Sequence, residues 1–114
     1  MIAAAGPPCM WRRLERRGGW AVFIAAMRLE LSIPHANSLK AKRQVLNSLM
    51  DRVRTRFGAA VAEVEGQELW QRSVVGIALV SGDEGHVRDM AAKVAGFVES
   101  HWEGEVCALD VEIL

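Results

Sequence analysis

The clearest pattern along the chain is an alternation of apolar and polar residues that begins near Phe23 and stops at Pro34. Side chains at every second position of a strand lie on one face of a sheet, so this two-residue period predicts a strand with one buried face. Proline ends the strand because it has no N–H group to donate to a sheet. The apolar positions are Phe23, Ala25, Met27, Leu29, Leu31 and Ile33.

A helical period follows the first strand. Asn37 or Ser38 can cap the start of this helix, and Gly58 suits its end because glycine readily adopts a left-handed conformation. The pattern therefore predicts an amphipathic helix between these positions. Its apolar stripe is formed by Leu39, Leu46, Leu49, Met50, Val53 and Phe57.

The second half of the chain repeats this alternation of strands and helix. Residues 60–65 form a short predicted strand, residues 66–71 a loop, and residues 73–81 a strand that is apolar on both faces, as a central strand is. Ser81 and Glu84 have the spacing of a capping box that opens a second helix. The apolar stripe of this helix comprises Val87, Met90, Ala91, Val94, Phe97 and Val98, and the inner face of a last strand, 106–114, comprises Cys107, Leu109, Val111 and Ile113.

This order, β-α-β-β-α-β, predicts an α+β domain of ferredoxin-like topology. Right-handed crossovers then give a four-stranded antiparallel sheet with both helices on one face. The domain is expected to cover residues 22–114. Residues 1–21 are rich in Ala, Gly, Pro and Arg without a sustained period, so we expect a disordered or non-native N-terminal extension.

The sheet face opposite the helices is predicted to be small and apolar at its centre and acidic at its margins. Such a face lacks the aromatic platforms with which RNA-recognition sheets stack bases. An apolar strip on an open sheet instead favours a subunit interface, here a homodimer, although a merely solvated face is the alternative. The central positions are Val74, Gly76, Ala78 and Val80; the others are Arg28, Glu30, Val61, Glu63, Glu65, Ala108, Asp110 and Glu112.

Charge is balanced over the whole chain but unevenly distributed. Residues 22–114 contain ten basic and thirteen acidic side chains, yet the first helix carries six basic residues and only Asp51 as an acid. A positive helix can contact a phosphate backbone, and it can equally be a solvated face whose long side chains cover the edge of the core. Its basic residues are Lys40, Lys42, Arg43, Arg52, Arg54 and Arg56.

No catalytic, metal or cofactor motif accompanies this pattern. The two cysteines, Cys9 and Cys107, have no metal-ligand spacing, and the three histidines are scattered. We therefore expect no catalytic residue, no metal, no cofactor and no small-molecule substrate, with His35 and Glu63 as the least implausible acid–base groups. The longest apolar run, 20–27, is too short to span a membrane, and unpaired thiols favour a cytoplasmic protein.

Several short runs resemble the YlxP-like family, a bacterial domain of unknown function. The resemblance covers nearly all of residues 22–114, and it implies the ferredoxin-like fold. Genes of this family commonly sit among those for translation initiation and ribosome maturation, which implies ribosomal RNA or a ribosomal subunit as the partner. The runs are ELSIP (30–34), SLKAKR (38–43), AEV (62–64), QELWQR (67–72), GIA (76–78) and VSGD (80–83).

Two functions remain open at this point. The first is a dimeric, non-catalytic binding module that associates with ribosomal RNA or an assembling ribosomal subunit through the first helix and the loop Trp70–Arg72. The second is a protein–protein adaptor or homodimeric scaffold that uses the open sheet face and has no nucleic-acid role. The candidate nucleic-acid contacts are Lys40, Lys42, Arg43, Arg54, Trp70, Gln71 and Arg72.

Overall fold

The computed structural model describes residues 22–114 as four strands and two helices, in the predicted order. Residues 1–21, and with them the predicted extension, lie outside the described residues. The element types are all as predicted, and the last two strands each begin one residue earlier than expected. The elements are β1 (Phe23–Ser32), α1 (Leu39–Phe57), β2 (Ala60–Glu65), β3 (Arg72–Ser81), α2 (Glu84–His101) and β4 (Glu105–Ile113).

The four strands form one antiparallel sheet in the order β2-β3-β1-β4. Each helix connects two strands that are separated by a third, and both helices pack on the same face of the sheet. This arrangement is the ferredoxin-like fold, which confirms the predicted fold class. The central pair β1 and β3 is in continuous register, from Phe23 opposite Ser81 to Ser32 opposite Arg72.

The core lies between the sheet and the two helices. The inward positions of β1 and β3 are almost completely buried, as the two-residue period predicts. The apolar stripes of the helices cover them, and the stripes also agree with the predicted helical period. The most buried core residues are Ala25, Leu29, Leu31, Leu46, Val53, Val75, Leu79, Val87, Val94 and Val98.

The ends of α1 are fixed by local hydrogen bonds. The Ser38 hydroxyl accepts from the backbone N–H of Ala41 at 3.0 Å, so Ser38, and not Asn37, is the N-cap. Gly58 ends the helix in the left-handed region, at φ 62°, and its N–H donates to the Arg54 carbonyl at 2.9 Å. The helix therefore begins and ends where the sequence placed it.

The start of α2 differs from the predicted capping box. Asp83 is the N-cap, and its carboxylate accepts from the backbone N–H of His86 at 2.7 Å. The Ser81 hydroxyl accepts from the N–H of Asp83, and Glu84 bonds to Arg88 one turn later. The capping box was wrong because the chain turns after Ser81 and enters the helix two residues later.

An irregularity in β2 reverses part of the predicted open face. Val61 lies opposite the core residue Ile77 and is buried, and Glu63 lies opposite Val75 on the same side. The register then shifts between Glu63 and Glu65, as at a β-bulge. The outward placement of Val61 and Glu63 was therefore wrong. The alternation in AVAEVE fits either face of the sheet, and only the register with β3 determines that Val61 and Glu63 face the helices.

A second irregularity in β4 exposes Cys107. Val106 pairs with Leu31 and Ala108 pairs with Glu30, so Cys107 falls in the register shift and has no cross-strand partner in β1. Its thiol is free and the residue is exposed. The predicted burial of Cys107 was wrong because the bulge places Val106 next to the core instead.

Candidate nucleic-acid interface

The basic residues of α1 do not share one environment, and Lys42 differs most from the expectation. Its side chain has no exposed surface, and its Nζ lies 2.8 Å from a carboxylate oxygen of Glu63. The same Nζ donates to the Gly66 carbonyl, and the Ser73 hydroxyl donates to the Glu63 carboxylate at 2.7 Å. The predicted phosphate contact at Lys42 was wrong, because the ammonium group is enclosed and neutralised by Glu63.

The burial of Lys42 has a signal in the sequence that charge obscured. Lys42 precedes Leu46 by four residues and Leu49 by seven, so all three lie on the buried stripe of α1. A buried charged residue at such a position requires an acidic partner that also faces the core. Glu63 is that partner, because the register of β2 places its side chain on the helix side of the sheet.

Arg54 is also engaged within the domain. One guanidinium nitrogen lies 2.7 Å from a carboxylate oxygen of Asp51, and another donates to the Val61 carbonyl at 2.8 Å. Arg54 thus links α1 to β2, although 42% of its side chain stays exposed. Only the N–H donors of Arg54 that do not bond to Asp51 or Val61 are available to contact a phosphate.

The other four basic residues of α1 are exposed, and within residues 22–114 none of them bonds to a carboxylate. Asp51 is the sole acid of the helix, and it is bonded to Arg54. These four side chains therefore carry an unbalanced positive charge into solvent. We call them the exposed cations of α1: Lys40, Arg43, Arg52 and Arg56.

Two of the exposed cations lie beside the ring of Phe97 in α2, which is itself stacked on His101. This cluster was not predicted from the sequence. The guanidinium carbons of Arg52 and Arg56 lie 5.4 and 5.2 Å from the ring centroid of Phe97. His101 stacks on Phe97 with 4.2 Å between centroids and 22° between planes. The sequence placed Phe97 in the buried stripe of α2, but its ring is only half-buried and lies beside α1.

The predicted loop candidates have three different roles. Trp70 is half-exposed and is not part of the buried core. The Gln71 side chain donates to the carbonyls of Ala36 and Pro34, at 3.2 and 3.5 Å, and thus holds the loop before α1. Arg72 lies 3.3 Å from Glu30 on the open face of the sheet.

The open face of the sheet is apolar along β3, as predicted. Val74, Gly76 and Ala78 are partly covered, and 62% of Val80 is exposed. A Cβ atom on Gly76 would lie 3.2 Å from a methyl group of Val64, so this glycine accommodates a side chain of its own sheet. The role of these four residues in a dimer stays a prediction.

Ion pairs cross this face from β1 to β2, over β3 near Val74 and Gly76. Arg28 bonds to Glu30 at 2.8 Å and to Glu65 at 3.2 Å. The hydrogen bond to Glu30, then that to Glu65, raises the pKa of Arg28 above its usual value, so the group stays charged. Together with the ion pair between Arg72 and Glu30, these pairs engage the cations that residues 22–114 place on this part of the face.

Residues 22–114 contain no group of three or more His, Cys, Asp or Glu side chains placed to hold a metal ion. The Glu63 carboxylate bonds to Lys42 and Ser73, so as a proton acceptor it is already engaged. His35 is exposed in the loop before α1. Within residues 22–114, neither α1 nor α2 contains an apolar stretch sufficient to span a bilayer.

The fold and these surfaces define residues 22–114 as a small ferredoxin-like α+β domain with a basic first helix and an open sheet face. A family model described as "Protein of unknown function (DUF503)" matches residues 24–111, and the chain belongs to this family. The chain is 37% identical over 83 residues to "Uncharacterized protein YlxP" of Bacillus subtilis (strain 168), across 73% of this chain and 90% of that protein. The predicted YlxP-like resemblance is thereby confirmed.

Two solved structures of designed proteins are similar to the chain at low identity. The de novo designed protein Foldit4 has a TM-score of 0.46 and 9% identity, and the match covers 82% of this chain and 96% of the designed one. The de novo designed protein Ferredog-Diesel has a TM-score of 0.42 and 15% identity, with 90% and 92% covered.

Proposed function

We propose that this protein is a non-catalytic, dimeric RNA-binding module of the cytoplasm that associates with ribosomal RNA or an assembling ribosomal subunit. The exposed cations of α1 make the main contact, and no cofactor or small-molecule substrate takes part. The ribosomal partner is suggested by the gene neighbourhood that the YlxP-like resemblance implies. Phosphate binding is suggested by the surface itself.

One observation supports this proposal above the others, namely the charge of α1 after its internal partners are counted. Two of the six basic residues are engaged, Lys42 by Glu63 and Arg54 by Asp51. The remaining four are exposed on a domain whose overall charge is mildly acidic. Free positive charges on one helix repel each other, which raises the free energy of the domain when no anion is bound. Binding to a phosphate backbone removes this repulsion and releases counterions, which makes the entropy of binding favourable.

The 66–71 loop gives this surface an aromatic neighbour. Lys42 of α1 bonds to Gly66 at one end of the loop, and Gln71 at the other end bonds to the segment before α1. Trp70 lies between these two attachments and is half-exposed. A side chain held beside a basic helix in this way is suited to stack on an unpaired base.

The direct test is co-sedimentation with ribosomal particles, and binding to purified ribosomal RNA, across a salt series. We expect the double variant K40A/R43A to bind more weakly than the wild type. The slope of log affinity against log salt concentration should become shallower by about 0.7 for each single-strand phosphate that the variant no longer neutralises. Lys42 is left unchanged, because its removal would destabilise the fold instead of the interface.

The matched control removes the same charge from α2. Arg88 and Lys93 are exposed there, so R88A/K93A lowers the net charge equally without touching α1. Affinity and salt slope should stay near the wild-type values in this control. Equal behaviour of the two double variants would show that α1 makes no specific contact and would reject the proposal.

A second function is supported by a different observation, the exposed apolar strip of the open sheet face. Val64 and Val80 are 50% and 62% exposed, and Ala26, Ala78 and Ala60 lie side by side across three strands. A flat surface of small residues suits the close approach of a second sheet. In this alternative the protein is a homodimeric scaffold or adaptor, and α1 is only a solvated face.

A further inference from the structure

We propose that the junction between the C-terminal halves of α1 and α2 is a nucleotide site. Arg52 and Arg56 hold the phosphate group of one unpaired nucleotide, and His101 stacks against its base. This inference rests on the proposed RNA-binding function. It adds a contact that Lys40 and Arg43, near the start of α1, cannot make. We call the four side chains the helix-junction cluster: Arg52, Arg56, Phe97 and His101.

The aromatic part of the cluster is already arranged as a stack. The rings of Phe97 and His101 lie nearly parallel, with centroids 4.2 Å apart. Nδ1 of His101 lies 2.9 Å from the Phe97 carbonyl, and when Nδ1 donates this bond the ring orientation is fixed. Because His101 is exposed while Phe97 is half-buried, a planar base can extend the stack on the solvent side.

The charged part of the cluster has no balancing acid among residues 22–114. Arg52 and Arg56 are four residues apart on one helix, and like charges at this spacing destabilise a helix. Both guanidinium groups lie within 5.4 Å of the Phe97 centroid. Asp51 borders the same cleft but is bonded to Arg54, so it does not neutralise them. A bound phosphate would remove the repulsion and match the planar donors of arginine.

Helix polarity explains only part of this arrangement. Cations at the C-terminal end of a helix interact favourably with its dipole, which accounts for Arg54 and Arg56 in the last turn of α1. It does not account for Arg52, which lies more than one turn before the end of α1. The same helix ends present carbonyl groups, so an anion here must be held by side chains.

The cleft has the size and shape for one nucleotide of a longer strand. The space over its lining residues is about 550 Å³. It is open along the surface instead of enclosed, so a strand can enter and leave on either side. Thr55 borders the cleft as well and offers a hydroxyl group to the sugar or phosphate.

The first experiment is an NMR titration of the full chain with three probes: adenosine monophosphate, ribose 5-phosphate and adenosine. We expect the monophosphate to shift the side-chain signals of Arg52 and Arg56 and the ring signals of His101. Ribose 5-phosphate should bind about tenfold more weakly because it lacks the base that stacks. Equal affinities for these two probes, or no shift at the cluster, would overturn the proposal.

Variants then separate the two halves of the cluster. R52A/R56A should abolish the binding of both phosphate probes, whereas R88A/K93A, which removes the same charge from α2, should leave it unchanged. His101→Ala should lower the affinity for adenosine monophosphate to that for ribose 5-phosphate, and His101→Phe should restore the difference. If His101→Phe behaves like His101→Ala, or if R52A/R56A still binds the monophosphate, the site is not built as stated.

The outcome is separable from that of the proposed function. Nucleotide shifts at the cluster without any association with ribosomal particles would support the site and reject the ribosomal role. Association that depends on Lys40 and Arg43, with no nucleotide shift at the cluster, would support the ribosomal role and reject the site.

Discussion

At the scale of single residues, Lys42 is the most constrained charge in the domain. It belongs to the apolar stripe of α1, yet its ammonium group is matched by Glu63, the Gly66 carbonyl and, through Glu63, the Ser73 hydroxyl. Burying a charge is costly unless every donor and acceptor finds a partner. The arrangement therefore fixes the position of α1 over β2 and the start of the 66–71 loop.

Removing one member of this pair should cost more than removing both. We expect Lys42→Ala to lower the free energy of unfolding by about 3 kcal/mol, because it leaves a largely buried carboxylate unpaired. The double variant K42M/E63Q should regain part of that loss. Urea unfolding measures both changes, and Lys40→Ala, on the exposed side of the same helix, is the control. A loss below about 0.5 kcal/mol for Lys42→Ala would contradict this account.

Gly104 is the second residue with a strict local requirement. A Cβ atom there would lie 1.8 Å from the Ser32 carbonyl oxygen, which also accepts from the indole N–H of Trp102 at 3.1 Å. Because the clash is with backbone, the turn before β4 would have to move away from β1. The absence of a side chain at Gly104 therefore permits this turn to pack on the end of the sheet.

Two glycine substitutions should thus have opposite effects. We expect Gly104→Ala to destabilise the domain by about 2 kcal/mol, as other overpacking changes do. Gly96→Ala, in the middle of α2 with nothing within 4 Å of its added Cβ, should stabilise it by about 0.5–1 kcal/mol. Thermal or urea unfolding of the two variants distinguishes them, and equal effects would show that the close approach at Ser32 is not maintained in solution.

At the scale of elements, capping residues determine where the helices begin and end, and β-bulges determine which residues of the edge strands face the core. Asp83 caps α2, and its carboxylate also lies next to the positive end of the helix dipole. In the sheet, one irregularity in β2 and one in β4 determine which residues reach the core. Local hydrogen bonding and strand register thus settle what the hydrophobic pattern left open.

The corrected cap gives a direct comparison between two neighbouring residues. Asp83→Ala should lower the free energy of unfolding by about 1 kcal/mol, because the N–H of His86 loses its partner. Ser81→Ala should cost less, since its hydroxyl bonds to the turn and not to the helix. Chemical unfolding monitored by circular dichroism resolves the difference. The reverse order of the two losses would restore Ser81 as the cap.

At the scale of the whole molecule, the two faces of the domain differ in chemistry. The helical face carries the exposed cations of α1, whereas the open sheet face combines small apolar residues of β3 with ion pairs that cross β3 and with exposed acids on β4. The proposed RNA contact and the proposed dimer contact therefore use opposite sides. A dimer built through the sheets would present two basic helices outward.

Self-association can accordingly be removed without touching the RNA surface. We expect Ala78→Glu to shift a dimer to a monomer in sedimentation velocity, because it places a charge between Ala26 and Ala60 in the middle of the strip. Binding of ribosomal RNA by the monomer should persist. Ala92→Glu makes the same chemical change on the exposed side of α2 and should leave the dimer intact. A wild type that stays monomeric at high concentration would exclude the dimer.

The sequence by itself determined the element order, the fold class and most of the core. Strands and helices differ in period, so the alternation in β1 and the stripes of α1 and α2 were readable without a structure. It also identified the one basic helix, because charge is a property of residue type. The family resemblance on runs such as SLKAKR and QELWQR was equally a matter of sequence.

Only the tertiary structure decided which of the basic residues are free. Whether the donors of Lys42 and Arg54 are free depends on acids and carbonyls brought in from β2, from the 66–71 loop and from α1 itself. The helix-junction cluster likewise joins two segments that are more than forty residues apart. Contacts between distant segments and shifts of strand register leave no periodic trace in the chain, because they arise from packing and not from local geometry.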